Sequence, residues 1–221
     1  MKKRISVEND GFVELIDHMG DDTRIVEAAR VSYKGSRPKR DDERLIHYLM
    51  DNGHMSPFEH VEFEFYIRAP IFVARQWFRH RTGQPNEVSR RYRAFDGGLW
   101  RPSSWFKQSK KNKQASAGLL ADEAAAEATR ALDKAYRAAQ DAYARLLDLG
   151  VSREQARAVL PLGSYTEFYW KQNLRNLLNL LDQRLSPHAQ TETRAYAAAV
   201  LALIKPVVPV AMAAWEKARG F

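Results

Sequence analysis

Two short strand-like segments, set among long helical stretches, restrict this chain to a mixed architecture. In residues 61–67 (VEFEFYI) apolar and polar side chains alternate, which is typical of a strand with one buried face. Residues 164–170 (SYTEFYW) are rich in aromatic and β-branched side chains, which also favour a strand. Because strands and helices do not alternate strictly along the chain, we predict an α+β fold rather than a doubly wound parallel sheet.

Helical patterns occupy most of the remaining chain. The predicted helices cover residues 23–31, 41–50, 71–78, 121–149 and 173–185, with a short helix from Ser152 to Pro161 and an alanine-rich closing segment from Ala189. The long helix 121–149 ends at Gly150, where helices commonly terminate, and Pro206 and Pro209 interrupt the closing segment. No repeat or linker divides the sequence, so we expect one domain over residues 1–221.

The lack of cysteine removes several kinds of chemistry. The chain of 221 residues has a cysteine count of 0, so disulfides, thiolate metal sites and a cysteine nucleophile are excluded. Residues 1–20 are charged and contain no apolar signal segment, and no stretch is long enough to span a bilayer. We therefore expect a cytoplasmic protein with no membrane partner.

A stretch dense in arginine is the strongest indication of a ligand site. Residues 79–92 read RHRTGQPNEVSRRY, and Gln76, Trp77 and Phe78 lie directly before them. Arginine recognises phosphate and planar carbonyl groups through paired hydrogen bonds, so this density predicts a pocket for an anionic, ring-bearing ligand. The alternative is a solvated basic face, although such a face tends to be richer in lysine. The chain has no Gly-rich phosphate loop, so a dinucleotide would have to be held by side chains.

The basic character of the chain raises a second hypothesis. The formal net charge is +8 and the pI is about 9.7, and aromatic side chains lie among the arginines, as in proteins that bind nucleic acid. A nucleic-acid-binding module therefore stays open as the alternative to a small-molecule site. No metal site is predicted, because neighbouring arginines would repel a cation and the histidines fit no compact metal motif: His54, His60, His80 and His188.

The arginine-rich stretch also carries a family pattern. Arg79-His80-Arg81, followed at that spacing by Asn86-Glu87, Ser89 and Arg91, resembles the signature of the flavin-dependent thymidylate synthase (ThyX) family. Other segments are similar to family segments in the same order: His54-Met55-Ser56-Pro57-Phe58-Glu59-His60, Ala74-Arg75-Gln76-Trp77, Ala156-Arg157, Asn173-Leu174-Arg175 with Asn179, and Arg184 before His188-Ala189-Gln190. The resemblance extends over residues 23–190. Gln84, Pro85 and Arg90 depart from the residues that are frequent in the family.

This resemblance implies an antiparallel sheet flanked by helices, with a long helical part, in a homotetramer whose active sites are built from more than one subunit. It implies conversion of dUMP to dTMP with FAD as cofactor and with NADPH and methylenetetrahydrofolate as co-substrates. The sequence agrees in one independent respect. The unrelated route to dTMP needs a cysteine thiolate that adds to the pyrimidine, and this chain has none. A reduced flavin can deliver hydride without a covalent protein nucleophile.

The resemblance also implies roles for individual residues. Arg184 matches the arginine that faces the pyrimidine, where it would stabilise negative charge. The substrate-binding positions, which hold dUMP and largely its phosphate, are Gln76, Arg79, Glu87, Val88, Ser89, Arg90, Arg91, Arg157 and Arg184. The flavin-binding positions are Ser56, Arg79, His80, Arg81, Glu87, Asn173, Arg175 and Asn179. His54 and His188 are implied to lie near the flavin and the folate.

Some of these residues also have simpler interpretations. Ser89 lacks the Gly-x-Ser-x-Gly context of a nucleophilic serine, so we expect it to form a ligand hydrogen bond or to cap a helix. Asn173 and Asn179 could be a helix cap and a surface residue. Arg184 could stabilise the end of its own helix through the helix dipole.

Overall fold

A five-stranded antiparallel sheet forms the centre of the fold in the computed structural model, which describes residues 3–31, 41–96, 98–110, 112 and 116–220. Its strands are β1 (Lys3–Val7), β2 (Gly11–Met19), β3 (Glu62–Pro70), β4 (Gln84–Glu87) and β7 (Tyr165–Asn173). They lie side by side in the order β1-β2-β3-β7-β4. A separate two-stranded sheet pairs β5 (Phe106–Gln108) with β6 (Ser116–Leu119).

Helices make up most of the remaining described chain. They are α1 (Asp22–Ala29), α2 (Asp42–Asp51), α3 (Ile71–Trp77), α4 (Asp122–Asp148), α5 (Arg153–Ala156), α6 (Leu174–Arg184), α7 (Thr191–Ile204) and α8 (Pro209–Arg219), with short 3-10 turns at Ser56–His60 and Arg157–Val159. None of the helices in the described ranges is both long and apolar enough to cross a membrane. The predicted α+β class with an antiparallel sheet is confirmed.

One face of the sheet is buried against helices. Along β3, Phe63, Phe65 and Ile67 point into the core and are at most 1% exposed, in keeping with the period of a half-buried strand. Phe168 and Trp170 do the same on β7. Helix α7 packs on β1 and β2, and α6 packs on the end of β7 and on α7. Removing these large apolar side chains from water is the main favourable contribution to folding.

The two central strands run directly into helices, and this arrangement creates the site. β3 is followed at once by α3, and β7 by α6. At the second junction the side-chain oxygen of Asn173 accepts a hydrogen bond from the amide of Asn176 at 3.0 Å, which caps α6. Because β3 and β7 are antiparallel, α3 and α6 start from opposite ends of the strand pair, and their C-terminal ends approach each other.

The last helix is capped from a distant part of the chain. The carboxylate of Asp22, at the start of α1, accepts hydrogen bonds from the backbone amides of Val210 and Ala211 at 2.8 and 2.9 Å. These amides belong to the first turn of α8, which begins at Pro209. A carboxylate is favourable there because the first amides of a helix have no partner within the helix.

The number of strands predicted from the sequence is wrong. Both predicted strands are confirmed, as β3 and β7, but the described residues contain seven strands. In β2, a register shift between Leu15 and Asp17 interrupts the alternation that would reveal a strand. β4 contains Pro85 and is exposed throughout, so its strand form depends on pairing with the edge of β7. The single domain over residues 1–221 stays a prediction.

Candidate active site

Three predicted site residues meet where the C-terminal ends of α3 and α6 come together. Gln76 lies in the last turn of α3, His80 lies just beyond it, and Arg184 is the last residue of α6. Nε of Arg184 donates to Nε2 of His80 at 2.9 Å, and its Nη2 donates to the backbone carbonyl of Gln76 at 3.1 Å. We call Gln76, His80 and Arg184 the Arg184 cluster. The arginine side chain reaches across to another element, so its contacts differ from those of a cap on its own helix.

The charge state of the Arg184 cluster follows from burial and from nearby arginines. His80 is 8% exposed, and burial together with the charge of Arg184 lowers the pKa of its imidazole to about 4. His80 is therefore neutral near neutral pH. Because its Nε2 accepts the hydrogen bond from Arg184, the ring proton lies on Nδ1. Burial and the charge of Arg79 lower the pKa of Arg184, but a guanidinium stays protonated at physiological pH.

Most of the predicted site arginines have no acidic partner. Three of them are paired, Arg90 with Asp96, Arg91 with Glu154 and Arg175 with Glu59. Within the described ranges, these site arginines form no ion pair: Arg79, Arg81, Arg157 and Arg184. A guanidinium partly removed from water without a counter-charge is unfavourable, and an anionic ligand would relieve that cost. Arg184, which is half-buried, has the most to gain from such a ligand.

The segment that follows β4 is fixed by the neighbouring strand β7. Oε1 of Glu87 accepts a hydrogen bond from the hydroxyl of Thr166 at 2.6 Å. The amide of Val88 donates to the backbone carbonyl of Glu167 at 2.9 Å. The hydroxyl of Ser89 then accepts from the amide of Arg91, two residues later, at 3.3 Å, which closes a local turn. The predicted substrate-binding residues 87–91 thus lie at the edge of the sheet, where hydrogen bonds to β7 fix the start of the segment.

A close backbone approach explains why a glycine precedes this strand. A β-carbon at Gly83 would lie 2.1 Å from Nε1 of Trp170, and Trp170 is fully buried. No other residue fits between the turn and the indole without displacing it. Gln84 and Pro85 next pair with Lys171 and Trp170 of β7, so the departure from the family pattern here lies on an ordinary strand edge.

Arg90 and Arg91 point in different directions. Nη2 of Arg90 donates to the backbone carbonyl of Tyr165 at 2.6 Å, and the side chain is 12% exposed, so a ligand could reach little beyond its backbone. Arg91 instead forms its ion pair with Glu154 at 3.3 Å. Nε of Arg157 donates to the backbone carbonyl of the same Glu154 at 3.1 Å. Arg91 and Arg157 therefore both contact Glu154, one at its carboxylate and the other at its backbone carbonyl.

The remaining flavin-binding positions lie toward the other end of α6. Arg175 pairs with Glu59 in the 3-10 turn that also contains Ser56, and Asn179 is exposed one turn further along the helix. At about 100° of rotation per residue, Arg175 and Asn179 lie roughly 40° apart on one face. On the same basis Arg184 lies roughly 180° away from Arg175. Arg175 and Asn179 therefore lie on the face of α6 opposite to Arg184, which contacts His80 of the other predicted flavin-binding group.

A polar cavity adjoins the Arg184 cluster. It has a volume of about 430 Å³ and lies between the β5–β6 hairpin and residues 187–194. Lys107, His188 and Arg194 form part of its wall. Gln190, which also lines it, accepts a hydrogen bond from Nε2 of Gln76. This contact joins the cavity to the cluster, and the volume is in the range of small-molecule sites.

Sequence reasoning missed an ion-pair network that supports the site from β3 and β7. Glu167 accepts hydrogen bonds from the hydroxyl of Tyr66, from Arg68 at 2.5 Å and from Arg93 at 3.2 Å. Burial alone would raise the pKa of Glu167, but the bonds from Tyr66 and Arg68 and the charge of Arg93 hold it below its usual value. The same residue holds the amide of Val88. The sequence signal that could have revealed this network is Glu167 itself, a single carboxylate among the aromatic residues of β7. In the sheet it lies directly opposite Arg68 of β3.

The fold and the arginine cluster define an α+β protein with a candidate site for an anionic ligand. A sequence model of the family described as "Thymidylate synthase complementing protein" matches residues 14–210. The flavin-dependent thymidylate synthase of Thermus thermophilus is 54% identical over 214 residues, which cover 96% of this chain and 78% of the relative. That of Treponema pallidum is 47% identical over 221 residues, covering 98% and 72%. The chain belongs to the family of flavin-dependent thymidylate synthases, as its sequence motifs predict.

A solved structure shares the architecture. The UMP/dUMP methylase PolB from Streptomyces cacaoi, bound with 5-Br dUMP, superposes with a TM-score of 0.87 at 33% sequence identity. The superposition covers 96% of this chain and 97% of PolB. The sheet and helices described above are therefore those of a known nucleotide-modifying fold.

Proposed function

We propose that this protein converts dUMP to dTMP by flavin-dependent reductive methylation, with methylenetetrahydrofolate as carbon donor and NADPH as reductant. The observation that carries the proposal is the Arg184 cluster. There, a half-buried guanidinium is anchored by two neutral acceptors and has no carboxylate partner in the described part of the chain. Family membership and the absence of cysteine support the same chemistry. We expect the reaction to take place in the cytoplasm.

Arg184 is the catalytic residue of this proposal. Its Nε and one N–H of Nη2 are engaged by His80 and Gln76. The N–H groups of Nη1 form no hydrogen bond with the described residues and remain available to a ligand. Directed at N3 and the carbonyl oxygens of the pyrimidine, they would stabilise negative charge as it develops there. Because these donors are fixed before the reaction, little reorganisation is needed.

The phosphate of dUMP would bind near Arg91 and Arg157. The Arg91–Glu154 pair is half-exposed, at 50% and 57%, and an exposed ion pair contributes little to stability. A phosphate dianion could therefore take the place of the Glu154 carboxylate at Arg91 and also bind Arg157, whose Nε stays bonded to the backbone carbonyl of Glu154. The remaining contacts to the nucleotide come from the side chains of Gln76, Arg79, Glu87 and Ser89 and from the backbone of Val88 and Arg90.

Two groups of residues suit FAD. Arg79 and Arg81, which have no acidic partner within the described ranges, match the charge of a pyrophosphate, and His80 and Glu87 belong to the same motif. The second group is presented by the start of α6 and the adjacent turn: Ser56, Asn173, Arg175 and Asn179. A bound flavin supplies hydride transfer, for which the protein provides orientation and electrostatics. The cavity beside Gln190, with His188 in its wall, has room for part of the flavin or the folate.

We infer a homotetramer with shared active sites. Arg175 lies on the face of α6 opposite to Arg184, and Arg184 contacts His80 of the first FAD group. One flavin would therefore have to wrap around the helix to contact both FAD groups within one chain. Assembly with a second subunit allows each flavin to contact one face from each chain.

Mixing two inactive variants tests the sharing. Arg79→Ala and Arg175→Ala subunits, once exchanged, should regain part of the activity, because some sites receive two intact halves. Arg79→Ala mixed with Arg81→Ala is the matched control and should stay inactive, since both changes fall in the same half. Absence of recovery in the first mixture, despite demonstrated exchange, would contradict shared sites.

A colour test separates this proposal from a basic nucleic-acid-binding module. The purified flavoprotein should be yellow, and its absorbance should bleach when NADPH is added without oxygen. A colourless protein that instead shifts the mobility of oligonucleotides would favour the nucleic-acid-binding module, which the net charge of +8 suggests.

A further inference from the structure

His80 occupies a fixed and buried position between α3 and β4. Its backbone amide donates to the carbonyl of Trp77 at 3.0 Å, and its own carbonyl accepts from the amide of Gly83 at 3.1 Å. The side chain is 8% exposed, and its Nε2 accepts from Nε of Arg184 across a separation of 104 residues. The ring is therefore held by its own turn, and its acceptor nitrogen is committed to the arginine.

We propose that His80 is a positioning residue for Arg184, which it holds so that the Nη1 edge of the guanidinium faces the pyrimidine. This inference rests on the proposed function. The family resemblance associates His80 with the flavin, whereas the lone pair of Nε2 is used by Arg184. A lone pair that accepts one hydrogen bond is not available to a second donor, so this nitrogen acts through the arginine.

A neutral acceptor is what this position requires. A carboxylate would form an ion pair with Arg184 and neutralise much of the charge intended for the ligand. A protonated imidazole would have no lone pair and would repel the guanidinium. Neutral His80 and the backbone carbonyl of Gln76 instead fix two donor nitrogens of the guanidinium, Nε and Nη2, and leave its charge intact. Arg79, whose charge acts on Arg184, makes a second cation at His80 still less favourable.

Three substitutions separate positioning from packing and from flavin contact. His80→Phe keeps a ring but removes the acceptor, His80→Gln keeps a neutral acceptor, and His80→Glu supplies a charged one. Because Arg184 should act most strongly in the transition state, His80→Phe should lower kcat for dTMP formation about tenfold or more, with a smaller change in KM for dUMP. His80→Gln should restore most of kcat, and His80→Glu should not. His18→Phe, on the exposed part of β2, is the matched control and should leave kcat unchanged.

Flavin content and dUMP affinity, measured on the same holoenzyme preparations, identify the cause of any loss. All three variants should retain flavin absorbance and NADPH oxidation. If His80→Phe loses flavin and added FAD restores its kcat, His80 is a cofactor contact and the proposal is overturned. It is also overturned if His80→Gln is no better than His80→Phe while both stay folded.

An NMR measurement addresses the contact without turnover. Spectra of the protein with ¹⁵N-labelled histidine, assigned by the signal missing in His80→Gln, should give the Nδ1–H tautomer for His80. An Nε2–H tautomer would overturn the inference, because that nitrogen could not accept from Arg184. If wild-type protein made no dTMP but showed the Nδ1–H tautomer, the proposed function would fail while the His80–Arg184 contact would stand.

Discussion

Acid should destabilise this protein through one buried imidazole. Burial and the charge of Arg184 lower the pKa of His80 from 6.5 to about 4 in the folded state, and the unfolded state should have a value close to 6.5. As the pH falls through this window, the unfolded chain binds a proton that the folded chain does not. The free energy of unfolding is therefore highest above about pH 6.5 and decreases as the pH falls toward about 4.

The size of the effect follows from the two pKa values. Complete protonation of the unfolded state against a neutral folded state would cost about 3 kcal/mol, and between about pH 7.5 and about pH 5 the loss is about 2 kcal/mol. For a chain of this length the loss corresponds to a decrease of about 4–8 °C in Tm. His80→Gln has no titrating group at this position and should lack this part of the decrease.

Urea unfolding of wild type and His80→Gln, at several pH values and one protein concentration, measures the difference. Glu167 and Asp96, whose pKa values are lowered by nearby donors and charges against the opposing effect of burial, and Asp22, whose pKa is raised mainly by burial, are present in both proteins. Their contributions cancel in the comparison. Equal losses of stability in the two proteins on acidification, or a larger loss in the variant, would refute the assignment of a buried neutral imidazole.

Three further predictions concern single positions. Arg184→Ala should lower kcat about a hundredfold. Arg184→Lys should restore little of that loss, because a point charge cannot reproduce a planar donor edge. Near-normal turnover of the lysine variant would mean that Arg184 only stabilises the end of α6. Gly83→Ala should lower the free energy of unfolding by about 1–3 kcal/mol, because its β-carbon would lie 2.1 Å from the Trp170 indole. An unchanged denaturation midpoint would contradict this packing. Asp22→Ala should lower the free energy of unfolding by about 1–2 kcal/mol, since two amides of α8 lose their acceptor. Urea titration measures this change, and an effect near zero would show that water replaces the carboxylate.

The sequence predicts those elements whose pattern matches their own burial. The alternation in residues 61–67 reports the half-buried strand β3, and proline and glycine mark the ends of the C-terminal helices. β4 cannot be found in this way, because its residues (QPNE) have no strand-like composition. It becomes a strand only because β7 offers a free edge, which is a tertiary effect.

Part of the candidate site could likewise be predicted from the sequence, and part could not. Residues 76–91 lie close in sequence, so their motif already predicts a common ligand. The contact of Arg184 with His80 spans 104 residues and depends on α3 and α6 ending at the same place, which no local pattern encodes. The contact of Arg91 with Glu154 is also remote in sequence, since it spans 63 residues. Sequence motifs therefore identify the participants, whereas the fold determines which of them touch.

The most direct test of the account is a dTMP assay on the purified protein. Product formation from dUMP should require bound flavin, NADPH and methylenetetrahydrofolate together, and omission of any one of them should abolish it. This result is expected because the chain has no cysteine to activate the pyrimidine covalently and must depend on hydride delivery beside Arg184. Formation of dTMP by protein from which all flavin has been removed would contradict the central claim.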